Sequence, residues 1–285
     1  MRFNALDRFF FAPTDSAALS RYRVFLGLLI FFHYLAHFPH WDAFYGPNGF
    51  SQNHGYFLLF RWLDPLPPQI LWWVGLLAAL AVAIGWETWI GILVLFLLQT
   101  ARNQTNFAVV NGEDLVLRML LFWSLFLRLD GHWSLKNSIL PWPRLGGGLW
   151  ALRAAQVCVA SIYFFSLPKK LAADPAWLDG SIMYYVFANT TWSRVDLPAL
   201  TTFQPIYSIL TYFTIVIEGV FPLLVWWERF RLPLTLFMLS LHFGIAFLLA
   251  NVTFFSLAMV AGLMLFLKSE DLLWLSRFKP YQIEN

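Results

Sequence analysis

Between Leu66 and Gly85 the chain reads LPPQILWWVGLLAALAVAIG, twenty residues without a charge. A helix of about 20 mostly apolar residues spans the hydrocarbon core of a bilayer. Similar stretches recur along the chain. Only 12% of the 285 residues are charged and 59% are hydrophobic, against about 25% and 45–50% in a soluble domain. So few charges cannot cover a water-soluble globule of this size. The expectation is an all-α integral membrane protein, because a span must satisfy its backbone internally.

Eight spans are expected, at roughly 20–38, 68–85, 86–102, 113–129, 148–167, 204–227, 233–250 and 252–268. The second and third meet at Gly85 in a tight hairpin. Asp114, in NGEDL, stands where it favours the start of the fourth. On one side of the membrane, outside the spans, lie Arg61, Arg102, Lys169, Lys170 and Arg194; the larger share of basic residues lies on the other. The positive-inside rule then puts both termini in the cytoplasm. The two longest loops, about 39–67 and 168–203, fall on the outer side. They are rich in Trp, Tyr, Phe and Pro, and are expected to fold over the membrane face. A single polytopic domain over residues 1–285 is expected, with no cleavable signal peptide at the start.

The net charge of +3 comes without a basic run, so it is no nucleic-acid signal. The single cysteine, Cys158, excludes an intrachain disulfide.

Several polar residues stand out against the apolar background. Lys169 and Lys170, in SLPKKLAAD, end the fifth span. A lysine there ordinarily snorkels to the headgroups. In dry surroundings the charged form of a lysine is disfavoured, and the neutral amine is a usable base. Glu218 lies in the middle of a span, where an ionisable group is costly and marks function by default; a buried ion pair with Arg118 or Arg23 is the structural alternative. His242 sits similarly in LSLHFGIAFLL. Glu218 and His242 together would suit a proton relay in a transporter. His132 lies in LDGHWSLKN, past the fourth span, on the cytoplasmic side by charge. His33, His37 and His40 have helical spacing, but no acidic partner shares it and Pro39 interrupts it. Polar helix packing is the expectation there, and no metal.

The ordered series of motifs resembles the membrane domain of vitamin K-dependent gamma-carboxylase, the horizontally transferred transmembrane (HTTM) group. It runs through DSAALSRYRVFLG with Arg23 and Gly27, FAVVNGEDLVL with Asn111, and LDGHWSL with His132. It continues through YFFSLPKKLAADPAWLDGSIMYY, with Lys169, Lys170 and Trp177, to LHFGIAFLLANVTFF with His242. The resemblance covers most of residues 15–260. It implies a lysine, here Lys170, that deprotonates a reduced vitamin K-like quinone. Oxygen then converts the quinol anion into a strong base, which takes a proton from a glutamate side chain, and carbon dioxide traps the carbanion. His132 would stand near the reacting glutamate, although Gly131 replaces the Asn that precedes that histidine in the carboxylase. Arg23, Asn111, Lys169, Trp177, Glu218 and His242 are expected as supporting polar residues.

The implied class is a short member without the carboxylase's lumenal region, in a bacterial inner membrane. Its partners would be membrane lipid, a lipid quinone and a secreted peptide or small substrate. A non-catalytic maturation or export factor is the alternative class.

Overall fold

A computed structural model of the chain describes residues 9–10, 14–46, 49–50, 66–135, 149–195 and 204–271. The segments carrying His54, Arg61, Lys136, Arg144, Arg277 and Lys279 lie outside it, as does most of the first long loop.

The fold is all helix, apart from one isolated bridge between Ser193 and Leu249 among the described residues. The helices are α1 (Ser16–His37), α2 (Trp41–Tyr45), α3 (Pro68–Ile84), α4 (Thr88–Thr105), α5 (Gly112–Ser124), α6 (Leu149–Ala173), α7 (Ile182–Ala188), α8 (Gln204–Leu224), α9 (Glu228–Leu248) and α10 (Thr253–Met264). Each expected span coincides with one of them. Four stretches are long and apolar enough to cross a bilayer: Ser16–Tyr45, Leu149–Ala173, Pro205–Leu224 and Glu228–Leu248. The other expected spans are shorter or more polar. α5 carries Glu113, Asp114 and Arg118 in its first two turns, and the chain turns away after Ser124. α10 stops at Met264. The outward faces of α8 and α9 are strongly apolar, with Ile209, Val216 and Phe247 more than half exposed. Lipid, not water, suits such a belt.

α1 and α3 pack closely through Gly27, where an added Cβ would come within 2.5 Å of the Ala83 nitrogen. Gly85 ends α3 in the left-handed region, at φ 75°. The Arg23 guanidinium occupies the space that a side chain there would need, so glycine is required twice over.

The two ends of the bundle are chemically distinct. At one end, Asp15 caps α1 by accepting from the N–H groups of Ala17 and Ala18 at 3.1 and 3.0 Å. It also accepts from Ser269 N–H and Oγ, both at 2.6 Å. Nearby, Gln156 of α6 donates to Leu265 O at 2.7 Å. The starts of α1 and α6 and the end of α10 therefore share this face. At the other end, the start of α5 meets the ends of α1 and α4, and the start of α10 meets α1 and α9.

The second long loop folds over that other face. Arg194 donates to Ala246 O at 2.7 Å and to Thr253 Oγ1 at 2.5 Å, satisfying orphan carbonyls where α9 ends. Tyr212 of α8 donates to Leu178 O at 3.0 Å. Lys169 and Lys170 do not begin the loop, as the sequence suggested. α6 runs on to Ala173, past Pro168, so both lysines are helical.

Candidate functional site

Lys170 and Tyr163 are seven residues apart on α6, two turns along one face. Lys170 Nζ donates to Glu218 Oε2 from α8. The Glu218 side chain is only 6% exposed and that of Lys170 is 28% exposed. Glu218 was expected to pair with Arg118 or Arg23 if it paired at all. The partner is Lys170, because α6 and α8 pack side by side and bring the two groups to the same depth. The indole of Trp177, from the covering loop, lies over Nζ at 5.1 Å, a cation–π distance. One side of Lys170 thus meets a carboxylate and another an aromatic face. Lys169, on the neighbouring position of α6, is exposed.

Tyr163 continues the cluster inward. Its hydroxyl and Nε2 of His242, from α9, are 2.8 Å apart. Both residues are buried. Phe221 packs on the Tyr163 ring at 5.3 Å, and Phe255 on the His242 ring at 6.5 Å. Nδ1 of His242 is buried without a hydrogen-bond partner. Such an atom is costly unless something comes to meet it. The structure therefore joins Lys170, Trp177, Glu218 and His242, and adds Tyr163. Tyr163 had one signal in the sequence, its seven-residue spacing from Lys170 within an apolar helix.

His132 and Arg23 do not join this cluster. His132 Nε2 lies 3.1 Å from Ser16 Oγ, and its N–H donates to Ser20 Oγ at 3.0 Å. Both serines belong to the first turns of α1. Lys170, at the far end of α6, is about 30 Å along the axis from that helix's start. The charge pattern had put His132 and Lys170 on opposite sides of the membrane; in the structure they stand at opposite ends of the bundle. The motif-based grouping of the two is not what the fold makes. Arg23 is fully buried. It donates to Trp133 O at 2.8 Å and to Ser134 Oγ at 3.1 Å, pinning the segment after α5 to α1. Its place is that of a staple.

Asn111 caps the start of α5 and is exposed. Its N–H donates to Asp114 Oδ2 at 2.9 Å. Asp114 Oδ1 also accepts from Gln99 Nε2 at 2.8 Å and from Arg102 Nη2 at 2.9 Å. The cation paired with Asp114 is thus Arg102 from α4, and not Arg118 one turn along α5; the rings of Tyr34, Trp41 and Tyr45 enclose Arg102 at 5.3, 5.4 and 5.5 Å.

A helical bundle with a lipid-facing apolar belt and ionisable groups buried within it is an integral membrane protein. Residues 11–271 match the family model of the HTTM domain, and the chain belongs to that family. This is the HTTM group to which the motifs pointed. No curated protein and no solved structure matches the chain.

Proposed function

We propose that the protein is a quinol-dependent membrane enzyme of the gamma-carboxylase type, in which Lys170 and Glu218 together take the proton of a reduced lipid quinone. The observation that carries this reading is the pair itself. An amine reaching for headgroups would turn outward; Lys170 turns to a buried carboxylate under the Trp177 ring.

Proton counting gives the pair its chemistry. An ammonium facing a carboxylate holds one proton between two basic sites, and has room for one more. A hydroxyl proton passed to the pair leaves a positive charge on Lys170 beside the oxygen that lost it. Fixed charge aimed at developing negative charge, away from water, is the strongest kind of electrostatic help. Glu218 thus shares the role that the resemblance gave to Lys170 alone.

The surrounding residues fit a ring carrying oxygen at both ends. The unpartnered Nδ1 of His242 offers a hydrogen bond. Trp177, Tyr163, Phe221 and Phe255 supply aromatic faces. A bound reduced quinone would supply reducing equivalents to O2, with CO2 as the further co-substrate that the carboxylase resemblance implies. The acceptor would be a peptide or a small molecule. In this reading eight helices, α1, α3 to α6 and α8 to α10, cross the membrane, the short α5 and α10 with help from the segments that flank them. Both termini face the cytoplasm of a bacterial cell, and Lys170 lies at the outer end.

Oxygen uptake by the purified protein tests the proposal. With a short-chain reduced vitamin K or menaquinol, uptake should exceed autoxidation. It should fall at least about 100-fold in Lys170→Ala, the scale of a lost general base, and persist in Lys169→Ala. Wild-type protein without quinol-dependent uptake, or Lys170→Ala with full uptake, overturns it. If both lysine changes are silent while a peptide still binds, the maturation-factor reading takes its place. Proton-coupled solute uptake lost in Glu218→Gln would instead mark a transporter.

A further inference from the structure

We propose that His33, His37 and Glu113 form a binding site for one divalent first-row transition-metal cation of the zinc or iron(II) type. The three residues offer two imidazole nitrogens and a carboxylate oxygen, all within 4.8 Å of one another. His33 and His37 stand four apart on α1, so their rings share one helix face. The ring centroids are 4.2 Å apart. Two histidines at that spacing are a familiar metal-binding pair. The sequence shows no acid among the histidines, because the acid comes from another helix. Glu113, in the first turn of α5, brings Oε1 to 3.7 Å from Nε2 of His33. His40 does not contribute: it is exposed, with its ring turned to Phe44 at 5.8 Å.

Two observations single out this cluster from ordinary polar packing. His33 is 1% exposed, and neither of its ring nitrogens has a hydrogen-bond partner. A buried imidazole with both nitrogens idle is a rare and costly arrangement. A metal ion would use one of them. The second observation is the orientation of His37. Its Nδ1 lies 2.8 Å from the His33 carbonyl oxygen. Donation there fixes the tautomer and leaves Nε2 with a free lone pair, as outer partners do for metal-bound histidines. Neighbouring ligands on such an ion stand about 3.3 Å apart at bond lengths of about 2.0–2.1 Å, so small side-chain rotations close the set.

One fixed positive charge, Arg102, faces the histidines, and it is already paired with Asp114 at 2.9 Å. Phe254 covers the His33 ring at 5.1 Å. Two histidines and a carboxylate leave at least one coordination position open, the pattern of metal sites that bind a further ligand. Phe254 and Phe255 are consecutive at the start of α10, and Phe255 packs on His242. The site therefore lies across that helix start from the Lys170 cluster, and does not depend on the quinol reading.

The test is a cobalt(II) titration of the chelator-stripped full-length protein in detergent, followed by its visible ligand-field bands and by displacement with zinc. One saturable site is expected, with a raised unfolding midpoint when metal is bound. His37→Ala and Glu113→Gln should each weaken binding at least about 10-fold, the loss seen even for outer partners. His40→Ala should leave it unchanged. The metal-free unfolding midpoints of the variants are measured alongside. Wild-type protein with no saturable site and no midpoint shift overturns the proposal. So does binding that survives both His37→Ala and Glu113→Gln.

Discussion

Asp114 serves three donors at once: the Asn111 N–H, the Gln99 amide and the Arg102 guanidinium. Arg102 is 8% exposed and has no other carboxylate among the described residues. Replacing Asp114 with Ala strands a buried cation, which typically costs about 3–5 kcal/mol. Thermal unfolding in detergent should show a large fall in midpoint for Asp114→Ala, and a smaller one for Arg102→Met with Asp114 intact. Equal and negligible shifts would contradict the role given to the network. Single residues such as Lys170, Glu218 and Asp114 were visible in the sequence, because an ionisable group in an apolar run is conspicuous. Their partners were not. Lys170 and Glu218 are joined by the packing of α6 on α8, and His33 meets Glu113 only because α1 lies against the start of α5. No spacing rule within one helix reports such a meeting.

The helices themselves were legible because an apolar run of about 20 residues has few other structures available to it. Their ends were less so. The fifth span was expected to end near residue 167; α6 instead continues through Pro168 to Ala173 and carries both lysines with it. The contact of α1 with α3 shows what the small residues do. Gly27 lets the two backbones approach, as small residues do in membrane bundles. Gly27→Ala places a methyl group 2.5 Å from the Ala83 nitrogen. Overpacking of that kind costs about 1–3 kcal/mol, and the variant should unfold at lower temperature. An unchanged midpoint would mean that the α1–α3 contact is looser than described.

For the whole molecule, the end of the bundle away from Lys170 is fastened by two carboxylates. Burial tends to raise the Asp15 carboxyl, but hydrogen bonds from Ser269, Ala18 and Ala17 overcome it and hold the group below its ordinary value of 3.8. Burial likewise opposes Asp271, which Arg231 and the Lys268 N–H hold below the same value. Both are depressed in the folded state, so their stabilisation is present above the unfolded value of about 4. It is lost as pH falls through the folded values. Unfolding midpoints should therefore be steady near neutrality and drop below about pH 4, less steeply in Asp15→Asn combined with Asp271→Asn. A double variant with the wild-type acid profile would contradict this. The proposed function rests on a different claim about the other end of the bundle, that Lys170, Glu218 and Trp177 together receive a quinone head. Cryo-EM of the purified protein with an added short-chain quinol tests it most directly. The account predicts density for a ring against Trp177, with one oxygen at Lys170. A map with Lys170 open to solvent, and the quinol bound elsewhere or not at all, would contradict it.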